Sequence, residues 1–270
     1  MPYIIFTDLD ETLLKSDKTI SEFTLNFFKD FTSKGNKLVL SSGRSLKSVM
    51  KVKDDLNLHM PNVYLCASNG AIAYDCANDK VLFESRMKME HVKAVWELAQ
   101  SKNIYVQTYT DTELVFKKHS PENELYLKYC PLPVRLSDKP WEDIDKPPCK
   151  VLAISLDNKQ KLIDFAKEVK DTFPELDSFF SSEYYLEVID RKAGKGNGLI
   201  KICESLDIPI ENSFAFGDEE NDITMLKAAG HGIAMKNSNP KLFKICDEIT
   251  KYDNNSDGLA RYMLVQKFIC

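Results

Sequence analysis

The feature that most constrains the fold of this chain is a short apolar run, residues 3–7, that stops at Asp8. A β-rich run of this length, bounded by polar residues, is typical of a buried strand. A helical pattern follows, with Ser21 as its predicted cap and Gly35 at its end, and a second buried strand begins at Lys37. Strands that alternate with helices form right-handed crossovers in a parallel sheet. The start of the chain therefore predicts an α/β fold with a doubly wound parallel sheet.

The alternation of strands and helices is interrupted once along the 270 residues. Residues 1–84 and 188–270 carry the alternating pattern, whereas residues 85–187 combine helices with adjacent strands and a stretch rich in proline. We interpret the middle segment as an inserted α+β cap domain in a Rossmann-like core. Within the second part of the core, the pattern predicts a helix over Pro240–Cys246 and a closing helix over Leu259–Phe268.

The composition of the chain argues against several classes of binding partner, nucleic acid and membranes among them. With 36 lysines and arginines against 41 aspartates and glutamates, the formal net charge is −5, so nothing favours nucleic acid or an anionic membrane. The N-terminus lacks a basic region, and no stretch approaches the ~18 apolar residues of a membrane span. The seven cysteines are scattered without a C-x-x-C pair, which indicates neither a zinc site nor a disulfide framework. We therefore expect a cytoplasmic protein that is a monomer or a weak homo-oligomer.

The first polar cluster, Asp8-Leu9-Asp10-Glu11-Thr12, comes directly after the first predicted strand. Ligands of an open parallel sheet bind beyond the carboxyl ends of its strands. Two carboxylates at that place can divide the work of phosphoryl transfer, because one attacks phosphorus and the other handles the leaving-group proton. The alternative is a plain turn or a calcium-type loop. The loop is disfavoured, because Leu13 stands where it requires glycine.

Two further clusters could hold a phosphate. Ser42, Gly43 and Arg44 follow the second strand, and a hydroxyl next to glycine before a helix offers donors to an anion. Lys195 lies among glycines but not in a Walker loop, since Gly196 replaces the required serine or threonine. Each cluster has an ordinary interpretation as well: a helix cap with a turn glycine, and a solvated lysine at a helix start.

The fourth cluster, Gly217-Asp218-Glu219-Glu220-Asn221-Asp222, follows another apolar strand. Acidic residues at a helix start suit the helix dipole, which is the ordinary interpretation. Asp218 at the strand tip and Asp222 one helical turn later also suit a hard cation bound by oxygen ligands. Phosphoryl transfer needs a nucleophile, a base, a cation and phosphate donors, and the four clusters together supply all of them.

The four polar clusters, taken together, resemble the motifs of a known family, the haloacid dehalogenase superfamily. Ser42 stands where that family usually has threonine, which keeps the hydroxyl, and Ser68-Asn69-Gly70 together with the insert resemble its Cof-type sugar phosphatases. The motifs that resemble the haloacid dehalogenase superfamily are Asp8-x-Asp10-x-Thr12, Ser42-Gly43-Arg44, Lys195-Gly196 and Gly217-Asp218-x-x-Asn221-Asp222, and the likeness extends to the closing Asp257-Gly258.

The resemblance implies a role for each matching residue. Asp8 would be the nucleophile and a Mg²⁺ ligand, and Asp10 the general acid and base, with its backbone carbonyl also on the metal. Asp218 would complete the set of metal ligands, and Asp222 would orient these ligands without contacting the metal directly. The residues that would bind phosphate or substrate are Thr12, Ser42, Gly43, Arg44, Asn69, Lys195 and Asn221.

These assignments predict a Mg²⁺-dependent phosphatase of small phosphorylated metabolites, such as sugar phosphates, that works through an aspartyl-phosphate. A phosphohexomutase of the same superfamily and a non-catalytic phosphometabolite-binding protein are the alternatives. We expect the insert to act as a lid. Lys117, Lys118, Tyr184 and Tyr185 are candidate substrate contacts, although their ordinary interpretation as exposed strand-end charges and packing tyrosines is favoured.

Overall fold

The computed structural model describes residues 1–246 and 248–266, apart from the side chain of Tyr129. The strands of the described chain are β1 Ile4–Asp8, β2 Lys37–Ser41, β3 Val63–Ala67, β4 Ile72–Asp75, β5 Lys80–Glu84, β6 Tyr105–Tyr109, β7 Leu114–Phe116, β8 Val134–Leu136, β9 Lys150–Ile154, β10 Leu176–Phe180, β11 Tyr185–Asp190, β12 Ser213–Gly217, β13 His231–Ala234 and β14 Glu248–Ile249. The α-helices are α1 Glu22–Ser33, α2 Leu46–Asp55, α3 Met89–Ser101, α4 Pro121–Tyr129, α5 Pro140–Asp143, α6 Lys159–Thr172, α7 Lys195–Ser205, α8 Ile223–Ala228 and α9 Gly258–Leu264.

Eight of these strands form one sheet, in the order β14-β13-β12-β1-β2-β3-β4-β5. The strands from β14 to β3 run parallel, and β4 and β5 continue the sheet as an antiparallel hairpin. Helices connect the parallel neighbours, with α1 between β1 and β2 and α2 between β2 and β3. All five residues of β1 are buried, which explains the apolar run Ile4–Phe6 at its start. The predicted α/β fold with a parallel-sheet core is confirmed.

Local sequence signals set the ends of the helices that follow β1 and β2. Ser21 caps α1 by accepting a hydrogen bond from the backbone N–H of Thr24 at 3.0 Å, and Ser45 caps α2 in the same way. The buried face of α1 carries Phe28 and Phe31, one helical turn apart. These helices return the chain so that β1 and β2 end at the same edge of the sheet.

Two predicted helices in the last part of the chain differ from the structure. The helix predicted over Pro240–Cys246 is wrong, because only a 3₁₀ turn, Leu242–Lys244, forms there. Leu242 is the one buried residue of that turn, so no apolar stripe supports a longer helix. The closing helix ends at Leu264, and the predicted end at Phe268 lies outside the described residues.

The remaining strands form a second sheet, in the order β10-β11-β9-β6-β7-β8, in which only β7 and β8 pair in parallel. Trp96 of α3 and Phe165 of α6 pack with Val151 and Val188 of this sheet in one apolar core. The chain divides into two compact units, one of Met1–Glu84 with Ala193–Cys270 and one of Ser85–Lys192. That residues 85–187 act as a cap domain stays a prediction. None of the described helices is both long and apolar enough to cross a membrane.

Candidate active site

The predicted site residues of the first unit gather at one edge of its sheet, where parallel strands end. Asp8 is the last residue of β1 and pairs with Ser41 at the end of β2. On the other side of β1, Asp218 follows Gly217, the last residue of β12. Lys195, the first residue of α7, joins this edge through a 2.5 Å contact between its Nζ and Asp8 Oδ1. Residues separated by more than 200 positions in the chain therefore meet in one place.

Three buried carboxylates form the centre of this site. Asp8, Asp218 and Asp222 each offer an oxygen atom, and these atoms lie within 4.8 Å of one another. Lys195 Nζ also contacts Asp222 Oδ1 at 2.5 Å, so its ammonium group lies between Asp8 and Asp222. The other oxygen of Asp222 accepts hydrogen bonds from the backbone N–H groups of Asp218 and Glu219, at 3.0 and 3.2 Å. Asp222 thus fixes the loop that carries Asp218.

Gly217 is required by this close packing. A Cβ atom at that position would lie 2.5 to 2.7 Å from atoms of the Asp222 side chain. Thr12 holds Asp218 from another side, because its Oγ1 donates to Asp218 Oδ1 at 2.8 Å. The Gly217-Asp218 pair and Thr12 are therefore explained by the geometry of the carboxylate cluster.

Burial and mutual repulsion perturb the ionisation of the cluster. Burial raises the pKa of Asp8 to about 7, and Asp222 and Asp10 add to this rise although Lys195 opposes it. Burial, together with the charges of Asp8 and Asp222, raises the pKa of Asp218 to about 8. Asp222 and Asp8 hold the pKa of Lys195 above its ordinary value against the effect of burial.

The donor set at this centre fits a divalent cation. Three carboxylates face a single ammonium group, which leaves an excess of negative charge in a buried place. Carboxylate oxygens are the ligands that Mg²⁺ and Ca²⁺ prefer. Asp222 is already engaged by Lys195 and two backbone N–H groups, so Asp8 and Asp218 are the carboxylates best placed to hold a cation.

Asp10 lies in the turn Leu9–Leu13 that follows β1, and its carboxylate is paired with two cations. Arg44 contacts both oxygens, with Nη2 at 2.8 and 2.9 Å and Nε at 3.2 Å, and Lys18 Nζ lies 3.1 Å from Oδ1. Burial acts in the opposite direction, yet Arg44 and Lys18 hold the pKa of Asp10 below its usual value. Arg44 was predicted to bind phosphate or substrate. In the structure its guanidinium contacts Asp10, and the predicted role stays a prediction.

The turn Ser68–Gly70 joins three of the predicted loops. Asn69 accepts a backbone hydrogen bond from Gly194 at 2.8 Å and donates its own N–H to the carbonyl of Ser42 at 2.9 Å. Gly70 has a φ of +84° and packs so closely that a Cβ atom would lie 2.1 Å from the carbonyl oxygen of Gly194. The turn therefore keeps the Ser42 loop next to the start of α7.

The side chain of Asn69 lies among other predicted site residues. A Cβ atom on Gly43 would come within 3.0 Å of the Asn69 amide, and Asn221 Nδ2 lies 3.5 Å from Asn69 Oδ1. Ser42 is buried, and its Oγ accepts from the backbone N–H of Arg44 at 3.3 Å. The structure thus brings together Ser42, Gly43, Asn69 and Asn221, which were predicted from separate motifs.

Sequence reasoning missed several residues that contact the turn Leu9–Leu13, Lys18 and Asn254 among them. Lys18 pairs with Asp10, and Asn254 donates to the side chain of Glu11 at 3.0 Å. Both lie in loops, where no periodicity marks a functional side chain. The nearest signal was Asp257-Gly258, which belongs to the same loop as Asn254.

Comparisons with known proteins show the family to which this chain belongs. Residues 5–263 match the model of the haloacid dehalogenase-like hydrolase family. The chain is 28% identical over 265 residues to the 5-amino-6-(5-phospho-D-ribitylamino)uracil phosphatase YitU of Bacillus subtilis, covering 97% of this chain and 96% of that protein. It is 28% identical over 286 residues to the phosphatase YwpJ of the same organism, covering 96% of this chain and 98% of that protein.

A solved structure shows the same fold. The crystal structure of a haloacid dehalogenase-like hydrolase from Bacteroides thetaiotaomicron superposes with a TM-score of 0.84 at 26% identity, covering 98% of this chain and 99% of that chain. The protein is therefore a hydrolytic enzyme with a parallel-sheet α/β core. This class follows from the sheet, from the carboxylate cluster at its edge and from the match over nearly the whole chain. The chain belongs to the haloacid dehalogenase-like hydrolase family.

Proposed function

We propose that this protein hydrolyses the phosphate ester of a small phosphorylated metabolite, using Mg²⁺ and phosphorylation of Asp8. The protein is a phosphoric monoester hydrolase of its family. The observation that supports the roles of Mg²⁺ and of Asp8 phosphorylation is the contact of Lys195 with both Asp8 and Asp222, beside Asp218. This arrangement offers a carboxylate nucleophile, a cation for the transferred group and oxygen ligands for a metal.

In the first step, an Asp8 oxygen would form a bond to phosphorus while the bond from phosphorus to the ester oxygen breaks. Asp10 would give a proton to the leaving oxygen. In the second step, water would attack the phosphorus of phospho-Asp8, Asp10 would take a proton from that water, and phosphate and free Asp8 would result.

The other residues would stabilise charge and hold geometry. The Lys195 ammonium and the Ser42 hydroxyl would interact with oxygens of the transferred phosphoryl group. Mg²⁺, bound by Asp8, Asp218 and the backbone carbonyl of Asp10, would neutralise part of the charge of that group. Arg44 favours the ionised form of Asp10, which is the form that remains after the first step and that accepts a proton from water in the second step.

The substrate proposed is a phosphorylated sugar or polyol. This follows from the activity of the Bacillus subtilis relative YitU, whose substrate carries a phosphorylated ribityl chain. That Asn69, Asn221 and Arg44 contact such a substrate is part of the same proposal. The expectations of a cytoplasmic location and of a monomer or weak homo-oligomer stay predictions.

A phosphate-release screen over phosphorylated metabolites tests this function. With Mg²⁺, we expect release of inorganic phosphate from one or more sugar or polyol phosphates. Treatment with EDTA should abolish release, and added Mg²⁺ should restore it. Since the cation would relieve repulsion among the buried carboxylates, Mg²⁺ should also raise the melting temperature without any substrate.

The outcomes of the screen separate the alternatives. Transfer of phosphate between positions of a hexose, with no phosphate released, would favour the phosphohexomutase. Binding of phosphorylated metabolites without turnover would favour the binding protein. Full activity after exhaustive metal removal would contradict the metal site.

Replacement of Asp10 by asparagine tests its role in proton transfer. Asp10→Asn should lower kcat by roughly 10² to 10⁴, the usual contribution of a positioned acid or base. Because Asp8, Lys195 and Asp218 are unchanged, the variant should still bind beryllofluoride, a phosphate mimic, with Mg²⁺. Loss of mimic binding equal to that in Asp8→Ala would mean that Asp10 has a structural role.

A further inference from the structure

The turn after β1 places two important side chains on either side of one strained residue. Glu11 has a φ of +56°, a left-handed conformation that residues other than glycine rarely adopt. Asp10 precedes it and Thr12, which binds Asp218, follows it. The backbone at Glu11 therefore sets the position of Asp10 relative to Asp218. Such a conformation persists where surrounding contacts hold it.

Two asparagines from distant loops supply those contacts. Asn237 Nδ2 donates to the backbone carbonyl of Glu11 at 2.7 Å. Asn254 Nδ2 donates to Glu11 Oε2 at 3.0 Å and to the carbonyl of Leu14 at 2.9 Å. The two asparagines are also joined, because the backbone N–H of Asn254 donates to Asn237 Oδ1 at 3.2 Å. Asn254 is only 4% exposed, so water does not readily replace its hydrogen bonds.

The loop that carries Asn254 contacts the same stretch of chain at other places. Asn255 exchanges hydrogen bonds with Ser16, both at 3.1 Å. The Asp257 carboxylate accepts from the Ser21 hydroxyl and, at 2.9 Å, from that of Thr24. Asn254 is the member of this loop whose side chain reaches the turn between Asp10 and Leu14, whereas Asn255 bonds beyond it.

We propose that Asn254, assisted by Asn237, is a positioning residue that clamps the Leu9–Leu13 turn and so fixes Asp10 for proton transfer. This inference rests on the proposed phosphatase function. The clamp holds the backbone and side chain of Glu11, whereas Arg44 holds the Asp10 carboxylate. Loosening the clamp should affect the step that uses Asp10 more than the binding of phosphate.

The test uses Asn254→Asp, which keeps the size of the side chain but replaces its donor group with a carboxylate. That carboxylate would face Glu11 Oε2 and the carbonyl of Leu14. We expect kcat for p-nitrophenyl phosphate with Mg²⁺ to fall roughly tenfold to a hundredfold, because small misplacements of reacting groups are costly. KM and beryllofluoride binding should change much less than kcat, since they depend on Asp10 through its backbone carbonyl on Mg²⁺ and not through its carboxylate.

Two variants serve as matched tests. Adding Glu11→Gln to Asn254→Asp restores a donor and acceptor pair between positions 11 and 254, so it should recover a large part of the lost kcat. Asn62→Asp makes the same chemical change at an asparagine before β3, whose Nδ2 donates to the carbonyl of Thr32 at 3.2 Å, and it should keep kcat near that of the wild type. If Asn254→Asp does not fold, Asn237→Ala, at an exposed position, should lower kcat in the same way to a smaller extent.

The outcomes distinguish this proposal from the function on which it rests. An Asn254→Asp variant with wild-type kcat, or one whose loss matches only its unfolded fraction, would overturn the clamp alone. A double variant with no recovery would overturn the role given to Glu11 in the clamp. A wild-type protein that releases no phosphate from any ester would overturn the proposed function and the clamp together.

Discussion

Asp8→Asn should abolish turnover while the protein still folds. The carboxamide has nearly the same shape, and its oxygen can still accept a hydrogen bond from Lys195 Nζ, which lies 2.5 Å from Asp8 Oδ1 in the wild type. An amide is a poor nucleophile towards phosphorus, so we expect kcat to fall by about 10³-fold or more. Because the raised pKa of Asp8 reflects burial and repulsion from Asp222, removal of its charge should not lower the melting temperature.

A second buried aspartate provides the control for that experiment. Asp75 is 6% exposed and accepts hydrogen bonds from Ala77, at 2.9 Å, and Asn78, away from the carboxylate cluster. Asp75→Asn should lower the melting temperature, because it disturbs this turn, and leave kcat of the folded enzyme unchanged. Near-wild-type phosphate release by Asp8→Asn would refute the phospho-Asp8 mechanism, and equal losses in both variants would indicate a general effect on folding.

Several parts of the site could be predicted because they depend on local rules. Asp8 ends a buried strand, Ser42 and Asp218 each follow one, and the carboxyl ends of parallel strands meet at one edge of the sheet. Serine caps likewise fixed the starts of α1 and α2. Such signals need only a few neighbouring residues, so the sequence contains them in full.

Other features depend on contacts between distant segments. The direction of the Arg44 side chain follows from the left-handed turn at Glu11, which presents Asp10 to it. The hydrogen bond between Asn254 and Glu11 joins residues 243 positions apart, and neither local sequence indicates it. The helix predicted over Pro240–Cys246 failed because packing decides how far a helix extends, and Leu242 is the one buried residue of the 3₁₀ turn that forms there.

The other large effect is expected for Lys195→Met, which removes the buried cation of the site. Lys195 is 1% exposed and lies 2.5 Å from both Asp8 Oδ1 and Asp222 Oδ1. Methionine fills similar space but leaves these carboxylates without their counter-charge. Removal of one partner from a buried ion pair typically costs about 3–5 kcal/mol of unfolding free energy. Loss of a cation beside the transferred phosphoryl group should lower kcat by a further factor of about 10² to 10³.

The effects of Lys195→Met on stability and on kcat can be separated by also removing the charge of Asp222, one of the two carboxylates left without a counter-charge. Asp222 is fully buried and keeps its hydrogen bonds from the backbone of Asp218 and Glu219. In the double variant Lys195→Met/Asp222→Asn, less negative charge remains buried, so the melting temperature should rise above that of Lys195→Met. Turnover should stay low, because the cation that faces the phosphoryl group is still missing.

Lys150→Met is the matched control, since Lys150 is also buried and pairs with Glu187 at 3.1 Å. It should lose stability yet retain kcat for p-nitrophenyl phosphate. If Lys195→Met keeps wild-type kcat in its folded fraction, Lys195 serves only to neutralise Asp8 and Asp222 and takes no part in phosphoryl transfer.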